Sequence, residues 1–452
     1  MHILAANILY LVVSVVNSFL LPKFLSIDTY AMIKTYTLYI GYAGFLSLGY
    51  ADGMYLKYGG VSFDQIDTTD LGSSYKSFAA FECFVGLVCL IISLYLHNYI
   101  LIVFSLGSVC INLIGYYKNL YQAVGEFKLY GKALNYQTML MLAANLLLLF
   151  LFKNDNYHAY IAIQVASAFV VMVYLTVLME KKKRLFRKGK VAARQIKENI
   201  SSGFVLMIGN FSSSLFTSLD RWFVKVLMTS TYFAWYSFAA SLENIVTVFI
   251  TPITISLYNS FCKNKDHKYI YMIKQMTLLW GFFVIAAAFP VEFILKYFLH
   301  KYYSARKLVY ILFAAQAFYA VIKGIHVNLY KAEQKQKRYF VIMLALTAVA
   351  FASNVVFYYF AKTAESLAWA TLFTAFLWFV FCEFEKPYIR FHLNEYIFII
   401  IMLGAYFFST SVGNVVAGGL IYFVVYVVAS LTLMRKPTKY LLERVLHKKQ
   451  SA

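Results

Sequence analysis

Apolar runs of roughly 18 to 25 residues follow one another along the whole sequence, "ANILYLVVSVVNSFLL" near the start and "GLIYFVVYVVASLTLM" near the finish among them. A helix of that length crosses a hydrocarbon core about 30 Å thick. Hydrophobic residues make up 62% of the 452 positions and charged residues only 13%. A water-soluble domain could not bury that much apolar surface, and no long polar stretch sets aside a separate soluble domain. The sequence therefore predicts an all-α, polytopic integral membrane protein. The first run, Ile3 to Leu21, has no Lys or Arg before it and no small-residue cleavage pattern, so it reads as a retained span rather than a signal peptide. The five cysteines form no CxxC pair and mostly sit in apolar runs, as small buried side chains do.

Segmentation predicts fourteen spans, at about 3–22, 30–50, 78–97, 99–117, 133–152, 158–179, 203–228, 232–257, 270–291, 306–330, 339–360, 365–385, 394–413 and 415–434. With a cytoplasmic N-terminus, the even-numbered connections and the C-terminal tail carry 29 of the 41 Lys and Arg residues. That positive-inside pattern predicts that both termini are cytoplasmic. Residues 51–77 run against it, with Asp52, Asp64, Asp67 and Asp70 facing only Lys57 and Lys76. The rule weighs Lys and Arg rather than net charge, so the assignment stands. The formal charge of +21 is thus mostly topology. A nucleic-acid binder would gather its basic residues in one domain with exposed aromatics between them. Here they are spread over loops, and no nucleic-acid partner is expected. The densest basic stretch, "EKKKRLFRKGKVAARQIKENI" (180–200), suits anionic lipid headgroups and also separates six spans from eight.

A local repeat supports the same division. "KFLSIDTY" (23–30) and "KVLMTSTY" (225–232) share K-x-L-x-x-x-T-Y at a constant offset of 202, each in the connection between the first and second spans of its half. A parallel duplication follows, with an axis along the membrane normal, an architecture suited to alternating access. The expected organisation is an N-lobe of six spans (1–180), a basic cytoplasmic linker (181–200) and a C-lobe of six spans (201–386). Two further spans (387–434) and a cytoplasmic tail (435–452) complete it.

Ionisable groups at membrane depth cost roughly 2.5–3.5 kcal/mol each near mid-bilayer, so they face a bundle interior or water. In span 7, Asn210, Ser214, Thr217, Arg221 and Lys225 recur at spacings of 4, 3, 4 and 4, which places them on one helical face. Asp220 lies about 100° around the helix from Arg221, toward a neighbouring helix or the outer interface. Span 8 lines up Glu243, Thr247, Thr251 and Thr254. Counting about 1.5 Å per residue, Arg221 and Glu243 differ in depth by roughly 6 Å, which leaves an ion pair between them open. Span 10 puts Tyr319, Lys323, His326 and Tyr330 on one face, while Lys34 and Glu82 lie just inside spans 2 and 3. Lys34 and Lys225 either line a cavity or snorkel to the interface. Asp220 with Arg221 is either a structural pair or part of the site, and Glu82 either reaches headgroups or faces inward. Cations outnumber anions at depth, and a cavity of positive potential suits an anionic substrate.

At these residues the chain resembles a family. "SGFVLMIGNFSSSLFTSLDRWFVKVLMTSTYFAWYSFAASLENIVTVFITPITISLYNSF" is similar to the seventh and eighth spans of O-antigen and capsular polysaccharide repeat-unit flippases. There a small-residue helix ends in Leu-Asp-Arg and a Tyr-x-x-Ala helix follows a short turn. "GYADGMYLKYGG" (49–60) and "YQAVGEFKLYGKAL" (121–134) resemble that family's cytoplasmic turns, and "ILKYFLHKYYSAR" (294–306) its outer approach to span 10. These flippases belong to the superfamily that also holds the multidrug and toxic compound extruders (MATE). The resemblance implies a MATE-like fold in the bacterial inner membrane and a cationic central cavity. It implies export of an undecaprenyl-diphosphate-linked glycan to the periplasmic leaflet, for O-antigen or lipopolysaccharide biosynthesis, with a polysaccharide polymerase and chain-length machinery as candidate partners. The family's Asp-Arg falls on Asp220 and Arg221. Many relatives have an Arg and a Gly near "LPKFLSIDTYA", where this chain has Lys23 and no Gly.

The chemistry is compatible. A diphosphate diester carries about two negative charges, which Arg221, Lys323, Lys34 and Lys225 would bind by charge-assisted hydrogen bonds. Asp220, Glu243, Glu82 and His326 would serve as polar or coupling groups. With the cell interior negative, moving the head outward is downhill by roughly 2.3 kcal/mol per charge per 100 mV. No G-x-x-x-x-G-K loop is present, and neither cofactor nor metal is expected. The rivals are a cation-coupled multidrug extruder and a peptidoglycan lipid flippase. A third, of a different class, is a membrane polymerase or ligase, which would want a long periplasmic catalytic loop.

Overall fold

The computed structural model describes residues 13, 16–184, 189–440 and 443, with some side chains, including those of 248–249, 251–256 and 258–259, outside that description. Among the described residues the chain is helical throughout, without a strand. After helical residues 16–24 come α1 (Ile27–Ile40), α2 (Tyr50–Tyr58), α3 (Thr68–Tyr95), α4 (Tyr99–Ala123), α5 (Phe127–Leu146), α6 (Tyr157–Lys183) and α7 (Ala193–Phe216). Then follow α8 (Leu219–Leu227), α9 (Ser230–Lys263), α10 (His267–Ile285), α11 (Ala288–Tyr297), α12 (Arg306–Val321) and α13 (Val327–Ala332). The last four are α14 (Gln336–Ala361), α15 (Ala364–Glu385), α16 (Leu393–Ser411) and α17 (Val415–Leu433). Nine helices among the described residues are long and apolar enough to cross a membrane, or ten if α7 and α8 count as one broken span. The predicted span at 3–22 falls largely outside the described residues. The chain divides into two compact units, Met1–Leu215 and Phe216–Ala452.

In the first unit the expected continuous span at 30–50 is interrupted. Helix α1 stops at Ile40, a 3-10 turn covers Ala43–Ser47, and Leu48 and Gly49 both take left-handed backbone (φ +48° and +85°) before α2 begins. The cause is a close crossing: a Cβ on Gly49 would lie 2.8 Å from the carbonyl carbon of Gly203, and one on Gly203 only 2.1 Å from Gly49 O. Residues 51–77, expected as a polar loop, are instead mostly α2 and the first turns of α3, the latter capped by Asp67. The core beside them is aromatic. Tyr50 and Phe78 pack with ring centroids 4.8 Å apart, and Phe78 with Tyr116 at 5.3 Å. Two of its buried hydroxyls find acceptors: Tyr50 donates to Ser74 O at 2.8 Å, and Tyr117 to Thr176 Oγ1 at 2.9 Å.

The described part of the basic stretch is bound to this unit. Lys76 Nζ donates to Gly189 O at 2.9 Å, Ala192 N to Ser77 Oγ at 2.9 Å and Gln195 Nε2 to Asp70 Oδ1 at 2.7 Å. It is therefore strapped along the first turns of α3 by its own backbone as well as its side chains.

In the second unit every residue of α12 from Leu308 to Val321 is buried, so this helix is the unit's axis. It packs against α9, α10 and α15. A π-turn, Ile322–His326, continues it into α13. The last two helices pack on each other and are pinned through tyrosines, Tyr406 OH donating to Tyr310 O at 3.1 Å and Tyr422 OH to Phe282 O at 2.6 Å.

Candidate functional site

The polar stripe expected along one unbroken span 7 is divided. The helix stops at Phe216 and restarts at Leu219, so Asn210 and Ser214 belong to α7 while Arg221 and Lys225 belong to α8. At the break, Arg221 Nη2 donates to the Thr217 carbonyl at 2.9 Å.

Asp220 and Arg221 are not an ion pair. Asp220 is buried, and its Oδ1 accepts from the Arg221 backbone N–H at 2.7 Å. Its Oδ2 accepts from Tyr236 OH at 2.7 Å and Thr371 Oγ1 at 3.2 Å. The carboxylate thereby ties α8 to α9 and α15. Arg221 is half-buried, its Nε buried without a hydrogen-bond partner, and no described carboxylate lies within 4.0 Å of the guanidinium.

The Arg221–Glu243 ion pair left open by depth counting does not form either. Glu243 Oε1 accepts from Gln316 Nε2, and Gln316 Oε1 accepts from Thr247 Oγ1 at 3.3 Å. Glu243 nevertheless lies close enough to Asp220, Arg221 and Lys323 for their charges to act on it. Lys323 is half-buried, its ammonium 4.9 Å from the Tyr319 ring centroid. The structure thus brings Asp220, Arg221, Glu243 and Lys323 together, with both cations free of direct carboxylate contact among the described residues. The side chains of Thr251 and Thr254 lie outside the description.

His326 parts from Lys323. A π-turn carries one extra residue per turn, so the expected common face of span 10 is broken between them. His326 is fully buried, with Nε2 3.8 Å from Glu383 Oε1 and neither ring nitrogen hydrogen-bonded. It belongs to a cluster in which Lys274 Nζ pairs with Glu383 and donates to Ile389 O at 2.8 Å. Lys225, on the last turn of α8, is half-buried with its ammonium 5.2 Å from the Phe233 ring centroid. In the first unit Lys34 is half-buried, 5.3 Å from the Tyr30 centroid. Glu82 is buried there rather than directed to headgroups, its Oε2 accepting from Asn112 Nδ2 at 2.8 Å. Sequence reasoning missed Lys274 and Glu383, though the cost of charge at membrane depth singles them out as much as Glu243. It also missed Gln316, Tyr236 and Thr371, which no local pattern marks.

The family profile described as Polysaccharide biosynthesis protein matches residues 78–265. No curated protein matches the chain in sequence. Among solved structures, the lipid II flippase MurJ in an inward closed conformation superposes with a TM-score of 0.75 at 12% identity, covering 95% of this chain and 98% of that one. An inward-facing multidrug resistance MATE family transporter of the MOP superfamily gives a TM-score of 0.52 at 13% identity, over 84% of this chain and 94% of that one. At such identities the likeness is one of fold, and it is the fold of multi-pass membrane transporters. The profile match covers residues 78–265, so the chain is similar to polysaccharide biosynthesis proteins over that stretch and shares its fold with MurJ and a MATE transporter over most of its length.

Proposed function

We propose that this chain carries undecaprenyl-diphosphate-linked oligosaccharide repeat units from the cytoplasmic to the periplasmic leaflet of the bacterial inner membrane, by alternating access and without covalent chemistry. The observation that carries the reading is the pair of half-buried cations, Arg221 and Lys323, each with no described carboxylate within 4.0 Å. A half-buried cation without a direct carboxylate contact favours an anionic ligand. The planar fork of Arg221 suits a diphosphate, with Lys323 as a second point charge. Asp220 holds the helix that presents Arg221, and Glu243 limits the positive potential so that the anion can leave. Lys225 in the second unit and Lys34 in the first are secondary cations for the same anionic head. O-antigen or capsule assembly is the proposed setting, with both termini cytoplasmic and a polymerase and chain-length machinery as downstream partners.

The test is complementation of a strain lacking this gene. Arg221→Ala and Lys323→Ala should each abolish surface polysaccharide while the protein stays inserted and abundant, and Arg221→Lys should restore part of it. Normal polysaccharide in both alanine variants would overturn the reading.

A further inference from the structure

The first unit contains a cavity of about 230 Å³ that the cationic cluster does not use. It lies among residues 41–47, α2, α3, α4 and α7. Among the described residues no Lys, Arg or His lines it, and its one carboxylate is Asp52, whose Oδ1 accepts from Asn210 Nδ2 at 3.1 Å. A phosphate would meet only negative charge there. What the cavity offers instead is neutral hydrogen bonding. Asn112, Asn119 and Asn210 all line it. The Asn112 NH2 is committed to Ala43 O (2.9 Å) and Glu82 Oε2 (2.8 Å), which fixes the amide and leaves its carbonyl oxygen as an acceptor. Behind it, Glu82 Oε1 is buried without a partner.

Part of the lining is aromatic. Phe45 and Phe211 lie with centroids 4.0 Å apart, and Tyr42 meets Phe211 edge-on at 5.8 Å. Ring faces carry negative charge density and pack well against the polarised C–H face of a sugar. Two glycines open the space. A Cβ on Gly44 or Gly115 would meet nothing within 4 Å. The volume is below the roughly 300–1,000 Å³ of a drug-sized pocket and large enough for several waters of about 30 Å³ each. That is the scale of one sugar ring rather than a whole oligosaccharide.

We propose that this cavity is a sugar subsite, holding one neutral hexose or N-acetylhexosamine ring through the Asn112, Asn119, Asn210 and Asp52 groups and the Tyr42, Phe45 and Phe211 rings that line it. The proposal rests on the flippase reading and adds the part of the substrate that the cations do not recognise. It gives the transporter a means of distinguishing the glycosylated lipid from its bare carrier.

The experiment measures binding of two probes to the purified full chain in nanodiscs by native mass spectrometry. One probe is the undecaprenyl-diphosphate-linked oligosaccharide extracted from cells that carry this chain, and the other is undecaprenyl diphosphate. The wild type should prefer the glycosylated probe by about tenfold or more. Gly115→Leu fills the cavity from a helical position with room for the side chain, and Asn119→Ala removes one amide. Each should erase the preference while leaving affinity for the bare lipid unchanged. Arg221→Ala should weaken both probes alike. Variants that keep the wild-type preference, or a wild type that binds the two probes equally, would overturn the sugar subsite. A wild type that binds neither would overturn the flippase reading itself.

Discussion

Asp220 accepts hydrogen bonds from its neighbour's backbone and from Tyr236 and Thr371, and Tyr236 is fully buried. Replacing Asp220 with Ala strands that hydroxyl, a loss of about 1–3 kcal/mol for one unsatisfied buried group. Asp220→Ala should therefore unfold at lower temperature in a thermal scan of purified protein. Asp220→Asn, which keeps an acceptor oxygen, should lose less, and adding Tyr236→Phe to Asp220→Ala should recover part of the loss. Glu333, in the connection before α14, offers a pH test. Burial works to raise its pKa, but hydrogen bonds from Lys335 and Lys386, the Lys386 charge and the Tyr388 hydroxyl outweigh it and draw the value down to about 2. A carboxyl depressed on folding contributes stability above its unfolded pKa of about 4.5, and that contribution fades as pH falls through about 2. The melting-temperature gap between wild type and Glu333→Gln should be full at pH 6 and shrink steadily below about pH 4.5. A gap independent of pH would show that the ionised carboxylate is not the stabilising form.

At the level of the helices, the break before α2 traces to backbone crowding that hydropathy does not register. Helix α7 meets the start of α2 through bare glycine backbones, with Gly53 as tight as the other two: a Cβ there would lie 2.0 Å from Asn199 O. Gly203→Val should sharply reduce the folded, inserted protein, whereas Gly404→Ala, which faces open space, should leave it unchanged by fluorescence-detected gel filtration. The π-turn at Ile322–His326 has a similar lesson. A 3.6-residue period placed Lys323 and His326 together, and one extra residue in the turn sends His326 to the Lys274–Glu383 cluster instead. The ends of the later helices were easier to read. Thr363 and Asn414 accept from first-turn amides of α15 and α17, the capping chemistry that marks a helix start in sequence.

For the molecule as a whole, the fold shared with MurJ and MATE transporters accommodates different cargoes, so substrate assignment depends on the residues in the site. Orientation can be checked directly. In a cysteine-less background, a cysteine at Lys265 should react with an impermeant maleimide only from the cytoplasmic side, and one at Lys301 only from the periplasm. The reverse pattern would invert the proposed direction of transport.

Sequence alone determined that the chain is helical and membrane-embedded, and it identified Asp220, Arg221, Glu243 and Lys323 as charges that had to face something other than lipid. Both follow from local quantities: the length of an apolar run and the cost of one charge in hydrocarbon. Only the tertiary structure decided which of those charges are satisfied. Asp220 is held by Tyr236 and Thr371, and Glu243 by Gln316, partners from other helices. Arg221 and Lys323 have no described carboxylate in reach. A hydrogen bond needs its donor within about 3 Å, and the folding of distant segments onto one another decides which donors come that close.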